Sequence, residues 1–341
     1  MKVWISLVFG LVLSFFISFL LGFVIIPELR KLKFGQTILD IGPAWHKSKQ
    51  GTPTMGGIMF IISTVVSFAI VIITDKLLGG NLIASGSVVG DSVKVKTFAG
   101  ILMALGFGII GFADDYIKVA KKRNLGLTIK QKSIAQILLM LAYLGALYMS
   151  GNTYMNIPFV GNVDLKWFFW FFGMGVIYLT VNAVNFTDGV DGLCGSVTAS
   201  AALAFVVIAT LKGFFGVGIL ASCLAGGCIG YLIWNWHPSK VIMGDTGSMF
   251  LGGMVVALAY AIDCPLIILF LGIIYVIEML SDLIQIGYFK ATHGKRIFKM
   301  APIHHHFEMC GWKEVKIVIV FTLINIIGGI IGVALFYYGA K

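Results

Sequence analysis

The sequence predicts an all-α polytopic membrane protein of about ten transmembrane helices, with both termini on the extracytoplasmic side. Three observations predict it. Hydrophobic residues make up 59% of the 341 and charged residues only 12%. A soluble domain carries roughly 25% charge, so lipid must be the solvent for most of this chain. Apolar runs of about 20 residues, enough to cross a hydrocarbon core, recur along its whole length. Finally, the basic residues gather on alternate loops.

The runs read as spans at 3–26, 55–74, 97–113, 131–149, 167–184, 196–211, 217–234, 248–262, 265–288 and 316–338, one integral-membrane domain over residues 1–341. The first is too long for a signal-peptide core and lacks a small-residue cleavage site, so it stays as a helix. The second begins within GTPTMGG, and the third stops at Asp114 and Asp115. A basic stretch precedes the fourth. Residues 153–165 are too polar to span, and their Gly161-Asn162 step between short apolar stretches fits a small surface hairpin. The fifth span ends before NFTDGVDGL, a short loop holding Lys212 separates the sixth from the seventh, and MGDTGS leads into the eighth. The ninth carries Glu278 and Asp282, four apart in an apolar helix and therefore facing the bundle interior. The tenth follows APIHHHFE.

Of the 25 basic residues, 18 lie on odd-numbered loops, among them Arg30, Lys47, Lys49, Lys118, Lys130, Lys132, Lys240 and Lys299. By the positive-inside rule those loops are cytoplasmic, and an even number of spans then places both termini outside. The net charge of +10 is thereby explained without a nucleic-acid partner. Asp114, Asp115, Asp188, Asp191, Asp245 and His304–His306 all fall on odd loops. A catalytic cleft is expected on the cytoplasmic face.

Asp114 and Asp115 close a helix that runs inward, where the macrodipole is already negative, so two adjacent acids there are unfavourable. They are either solvated boundary acids balanced by Lys118 and Lys121 or part of a cation site, which accounts for both the position and the doubling. Adjacent helical residues point about 100° apart, so the two should do different jobs. Asp188 and Asp191 share a face if their turn stays helical, and Gly189, Gly192 and Gly195 let backbone approach a ligand. Asp245 leads into a helix whose free amides suit phosphate, and it tolerates phosphate only through a metal ion. Taken alone, each of these segments also reads as a turn or an N-cap. Together, three acidic loops on one face suggest a cleft binding Mg²⁺ and substrate phosphates, with phosphoryl transfer as the chemistry.

His304, His305 and His306 cannot all aim at one point from a regular helix or strand, so a three-histidine zinc site is disfavoured. One or two are expected to donate to a phosphate or sugar, the rest being structural. The five cysteines show no metal-ligand spacing and read as small buried side chains.

In order along the chain, GTPTMGG, FADDYIK, NFTDGVDGL, MGDTGS and APIHHHFE resemble the motifs of the polyprenyl-phosphate N-acetylhexosamine-1-phosphate transferases, and APIHHHFE resembles the muramoyl-pentapeptide branch. The resemblance implies Mg²⁺-dependent attack of undecaprenyl phosphate on the β-phosphate of UDP-N-acetylmuramoyl-pentapeptide, giving lipid I and UMP. It implies Asp245 as the metal ligand, with Asp114 and Asp115 close to the phosphates and His304 in the catalytic set. One of that pair, with Asp114 the choice, is implied as a base acting on the lipid phosphate, and an aspartyl-phosphate intermediate is the alternative. Asn185, Asp188, Gly189 and Asp191 resemble a nucleotide-sugar loop, joined by Asn235 and Gln285. Lys49, Thr54, Lys118 and Lys130 resemble phosphate or nucleoside contacts, and His305 and His306 complete the histidine signature. Members commonly carry Phe where this chain has Ile242. Family resemblance also suggests a homodimer. The rival readings are a sibling transferase using UDP-N-acetylglucosamine and an ion-coupled transporter built around Glu278.

Overall fold

The computed structural model describes residues 2–32, 51–83, 90–121 and 125–339. All ten apolar segments are helical: α1 Val3–Lys31, α2 Ile58–Leu77, α3 Gly90–Ala120, α4 Ile129–Met149, α5 Phe168–Thr187, α6 Leu193–Leu211, α7 Phe215–Asn235, α8 Gly244–Ala261, the pair α9 Ile268–Leu271 and α10 Ile273–Ala291, and α12 Glu314–Gly339. The histidine run forms a separate short helix, α11, Ile303–Met309. Eight of these helices are long and apolar enough to cross a membrane, or nine if the bent segment around α9 and α10 counts as one span. The chain is therefore a multi-pass membrane protein.

Helix α8 is not among those nine, and its surroundings explain why it need not be strongly apolar. Every residue from Thr246 to Ala261 is buried. It sits in the middle of the bundle, with α3 and α5 along its sides. Protein rather than lipid is its solvent.

Small residues set the closest approaches. In α1, Ser6, Gly10, Ser14, Ser18 and Gly22 recur every fourth residue and are buried. They face α7, where a Cβ on Gly226 or Gly230 would overlap the carbonyls of Leu11 and Phe15. This is the small-residue packing that lets membrane helices gain van der Waals contact without a hydrophobic drive. The same device brings α3 onto α8, because a Cβ on Gly111 would overlap the carbonyl of Asp245.

Two expectations need correction. The ninth segment is not one straight span. It breaks at Gly272, with an 89° bend between Pro265–Leu271 and Ile273–Ala291. Asn325 of α12 makes the break tolerable: its amide donates to the Leu271 carbonyl (3.0 Å) and its oxygen accepts from Ile274 N–H (3.4 Å). Backbone groups freed by a break inside a membrane must find such partners. The surface hairpin is present as β1 Tyr154–Ile157 and β2 Gly161–Asp164, but its turn is Pro158-Phe159-Val160, one step before Gly161-Asn162. Asn162 instead pairs with Asn156 across the ladder.

Loops that alternate in sequence gather at opposite ends. Asp245 meets residues from the C-terminal turns of α3 and α5. At the other end the hairpin touches Asp263 and Gly339 through backbone hydrogen bonds.

Candidate active site

The first turn of α8 is the centre of the site. Asp245 lies there, at the helix N-terminus where a negative charge is favoured. Its Oδ1 accepts from the Asn185 amide (3.0 Å), and its Oδ2 accepts from Lys132 (2.8 Å) and Lys118 (3.3 Å). Asp114 and Asp115 come alongside, so that one oxygen from each of the three carboxylates lies within 4.8 Å of the others. Gly111 permits this, one turn before Asp115 on α3.

The two adjacent acids do different jobs. Asp115 caps α8 from outside the helix. Its Oδ2 accepts from the Thr246 amide (2.9 Å) and hydroxyl (2.7 Å), and its Oδ1 from the Asp245 amide (3.3 Å). Orphan amides at a helix start are satisfied in this way by a carboxylate from a neighbour. Asp114 accepts from the Leu127 amide (2.8 Å) and pairs with Lys118 (2.6 Å). Lys118 thus touches all three acids, with Asp115 at 3.7 Å. Gly244, at φ 71°, keeps Thr54 and Asp115 close, since a Cβ there would crowd both. The donors are all oxygens, which suits a hard divalent ion such as Mg²⁺.

The turn after α5 does not stay helical. The helix stops at Thr187, Asp188 is its half-buried C-cap, and α6 starts after Gly192 at φ 84°. Asp188 and Asp191 therefore do not share a helical face. Asp191 turns inward. Its Oδ2 accepts from the Ser239 amide (3.1 Å) and faces His237 Nδ1 (3.2 Å), which also lies 3.5 Å from Glu314. Asn235 bridges two backbone segments, accepting from Gly192 N–H (2.9 Å) and donating to the Val241 carbonyl (2.9 Å). Gln285 likewise holds residues 297 and 298, accepting from both amides and donating to the Phe298 carbonyl. Both amides are engaged with backbone.

The three histidines take three different partners, as their adjacency requires. His304 pairs with Glu278 (3.0 Å), and His305 with Glu308 (2.6 Å). His306 Nδ1 accepts from Lys299 N–H (3.1 Å) and its Nε2 faces Cys310 (3.7 Å). Cys194, Cys223, Cys228 and Cys264 are buried, Cys310 is exposed, and all are free thiols. Ile242 ties its segment to the stretch just before α2, donating to the Pro53 carbonyl and accepting from Gly56.

Lys130 is exposed, whereas Lys132, two residues on, reaches Asp245. The available signal was the Thr128–Gln131 capping box, which starts α4 at Ile129 and puts Lys132 in its first turn. Lys49 lies outside the described residues. Glu278 had only a structural or pathway-lining reading, and Glu308, Glu314 and His237 had none. Their partners are too distant in sequence, or too ordinary in spacing, to have marked them.

Known proteins match this chain along most of its length. Residues 97–263 match the family model for glycosyl transferase family 4. Residues 49–61 match signature 1 of phospho-N-acetylmuramoyl-pentapeptide-transferase. Relatives of that name include those of Acetivibrio thermocellus, 45% identical over 95% of this chain and 94% of its own, Listeria welshimeri, 43% over 95% and 97%, and Halalkalibacterium halodurans, 41% over 96% and 97%. Likeness of that degree, running almost end to end through both partners, leaves one conclusion: the chain belongs to the phospho-N-acetylmuramoyl-pentapeptide-transferase family and is a phosphoglycosyl transferase.

Proposed function

We propose that this enzyme transfers phospho-N-acetylmuramoyl-pentapeptide from UDP-N-acetylmuramoyl-pentapeptide to undecaprenyl phosphate, giving lipid I and UMP, at the cytoplasmic face of a bacterial inner membrane. The observation that carries the reading is the gathering of Asp114, Asp115 and Asp245 within 4.8 Å, beside two lysines, at the start of a buried helix. Phosphoryl transfer asks a protein mainly for positioning and charge compensation.

Asp245 is the residue that would hold Mg²⁺, with Asp114 able to join it. Asp115 is the poorer donor because its oxygens already accept from α8. When bound, the ion supplies a Lewis acid that neutralises phosphate oxygens. Asn185 fixes the rotamer of Asp245 by holding Oδ1 and is itself braced by Ser248 (2.8 Å). Lys118 and Lys132 carry the positive charge available to a pyrophosphate. An incoming phosphate monoester is already largely ionised, its second pKa being about 6, so a carboxylate base at Asp114 has little proton work left. Aligning the attacking oxygen is its larger contribution.

The lipid chain has a place to lie. A cavity of about 490 Å³ runs between α5 and the bent α9–α10 pair, lined by Phe172, Val176, Leu179, Leu269, Met279 and Leu283 among others. Its α5 wall reaches Ala183, two residues before Asn185. Asp188 and Thr54 are assigned to the sugar nucleotide. The resemblance supports a homodimer as the working form.

The test is turnover by the purified full-length enzyme in nanodiscs. UMP should appear only when the UDP-linked muramoyl-pentapeptide, polyprenyl phosphate and Mg²⁺ are all present. Turnover of UDP-N-acetylglucosamine, with none of the muramoyl-pentapeptide form, would replace this reading with the sibling reaction.

A further inference from the structure

Glu278 and His304 form a pair with no exposed surface, in the wall behind the turn 188–192. Glu278 lies on α10 and His304 on α11, so the pair ties a membrane helix to the histidine helix. Glu278 Oε2 stands 3.0 Å from His304 Nδ1. A carboxylate oxygen accepts here from Nδ1–H, and a ring protonated at that nitrogen alone carries its lone pair on Nε2.

That second nitrogen is buried and has no hydrogen-bond partner. It points at the turn carrying the nucleotide-sugar residues. A Cβ on Gly189 would overlap Nε2, so the hydrogen that glycine carries in place of a side chain faces the lone pair directly. A proton on Nε2 would instead be pressed against that hydrogen with no acceptor in reach. The tautomer held by Glu278 is the one that lets the ring and the turn sit at this separation. His305 and His306 have other partners and do not share the task.

We propose that Glu278 is a positioning residue for the transfer reaction, which holds His304 with Nε2 bare and so sets the height of the Gly189 turn that presents Asp188 to the sugar nucleotide. The inference rests on the reaction proposed above and adds a residue to it. His304 then acts through the turn rather than by touching substrate, since it has no accessible surface.

Two measurements on the full-length enzyme in nanodiscs test this. The first is the ¹⁵N signal of the His304 ring, assigned by comparison with His304→Gln. It should show a protonated Nδ1 and an unprotonated Nε2, both in the wild type and in Glu278→Gln, whose amide oxygen accepts the same proton. The second is kinetic. Glu278→Leu should raise KM for the UDP-linked donor about tenfold with a smaller change in kcat, the low end of what losing a histidine's orienting carboxylate costs at metal sites. Glu278→Gln should bring KM back to within about threefold of the wild type, since it restores the acceptor and not the charge. A proton found on Nε2, equal losses in the leucine and glutamine variants, or an unchanged KM in Glu278→Leu would each overturn the proposal. If the leucine variant fails to fold, the ring signal and the glutamine variant decide alone. Absence of UMP release by the wild type would sink the reaction instead, and the ring signal would still report the tautomer.

Discussion

The two ends of α8 use the same ingredients to opposite effect. Each has an aspartate held by two lysines from other helices. At the far end Asp263, just beyond the helix, pairs with Lys96 and with Lys212 (2.9 Å), and Lys212 also donates to the Ile262 carbonyl (2.7 Å). There one carboxylate meets two ammonium groups, and the inner pair is shut away, Lys96 2% and Asp263 9% exposed, with Lys212 at 21% on the outside. A negative charge at a helix C-terminus is unfavourable, and the lysines offset it. At the near end three carboxylates meet two lysines, leaving one negative charge uncompensated, and Asp245 is 20% and Lys118 34% exposed. At the far end the carboxylate itself is buried and over-neutralised. The near end is open, electron-rich and short of one cation, so it has both the access and the charge deficit that a substrate with its metal would meet.

Exchanging one residue at each end should separate the two roles most sharply. Asp245→Asn should lower kcat by about 10²–10³-fold, the size of losing one preorganised electrostatic partner, while the melting temperature stays close to wild type. Asp263→Asn should do the reverse. It leaves the buried Lys96 without its counter-charge, a loss of roughly 3–5 kcal/mol for a buried pair, yet the molecules that remain folded should turn over normally. Thermal melts and active-site-normalised rates on the two variants check both halves. Retained activity in Asp245→Asn at saturating Mg²⁺ would break the comparison outright.

A finer division lies within the near end. Lys132→Met should raise KM for the UDP-linked donor about tenfold more than Lys130→Met, because only Lys132 touches the carboxylate centre. Steady-state kinetics on the pair settles this, and equal effects would return Lys130 to the site.

These contrasts show what the linear sequence could carry. Helix positions were legible because apolar runs in lipid are long and continuous. Asp114 and Asp115 were legible because two adjacent acids at a helix C-terminus are unfavourable without a cation, and Asp245 because it joins them on the same set of loops. Asp263 was not, since its meaning comes from Lys96 and Lys212, 167 and 51 residues away. The break at Gly272 was hidden for the same reason: Asn325, which makes it tolerable, is on another helix. Lys132 read only as one more basic residue of its segment, since the carboxylate it meets lies 113 residues away. Glu278 showed itself as an acid in an apolar helix, but its partner lies 26 residues on, in a helix of its own.

The smallest expected effect concerns Gln285, where two roles differ in what accompanies a weak kinetic change. The resemblance assigns it to the nucleotide, whereas all its hydrogen bonds among the described residues go to the backbone of residues 297 and 298. That backbone runs into Lys299, whose amide in turn holds His306. Gln285→Ala should therefore act through the loop. KM for the UDP-linked donor should rise by about threefold to fivefold, the size of one neutral hydrogen bond. The amides of residues 297–299 should exchange hydrogen faster in the same variant, because their local opening no longer breaks those bonds. A direct nucleotide contact would raise KM and leave exchange in the free enzyme unchanged. Measuring exchange without substrate distinguishes the two, because the contact being tested is then absent and only the loop's own anchoring is read.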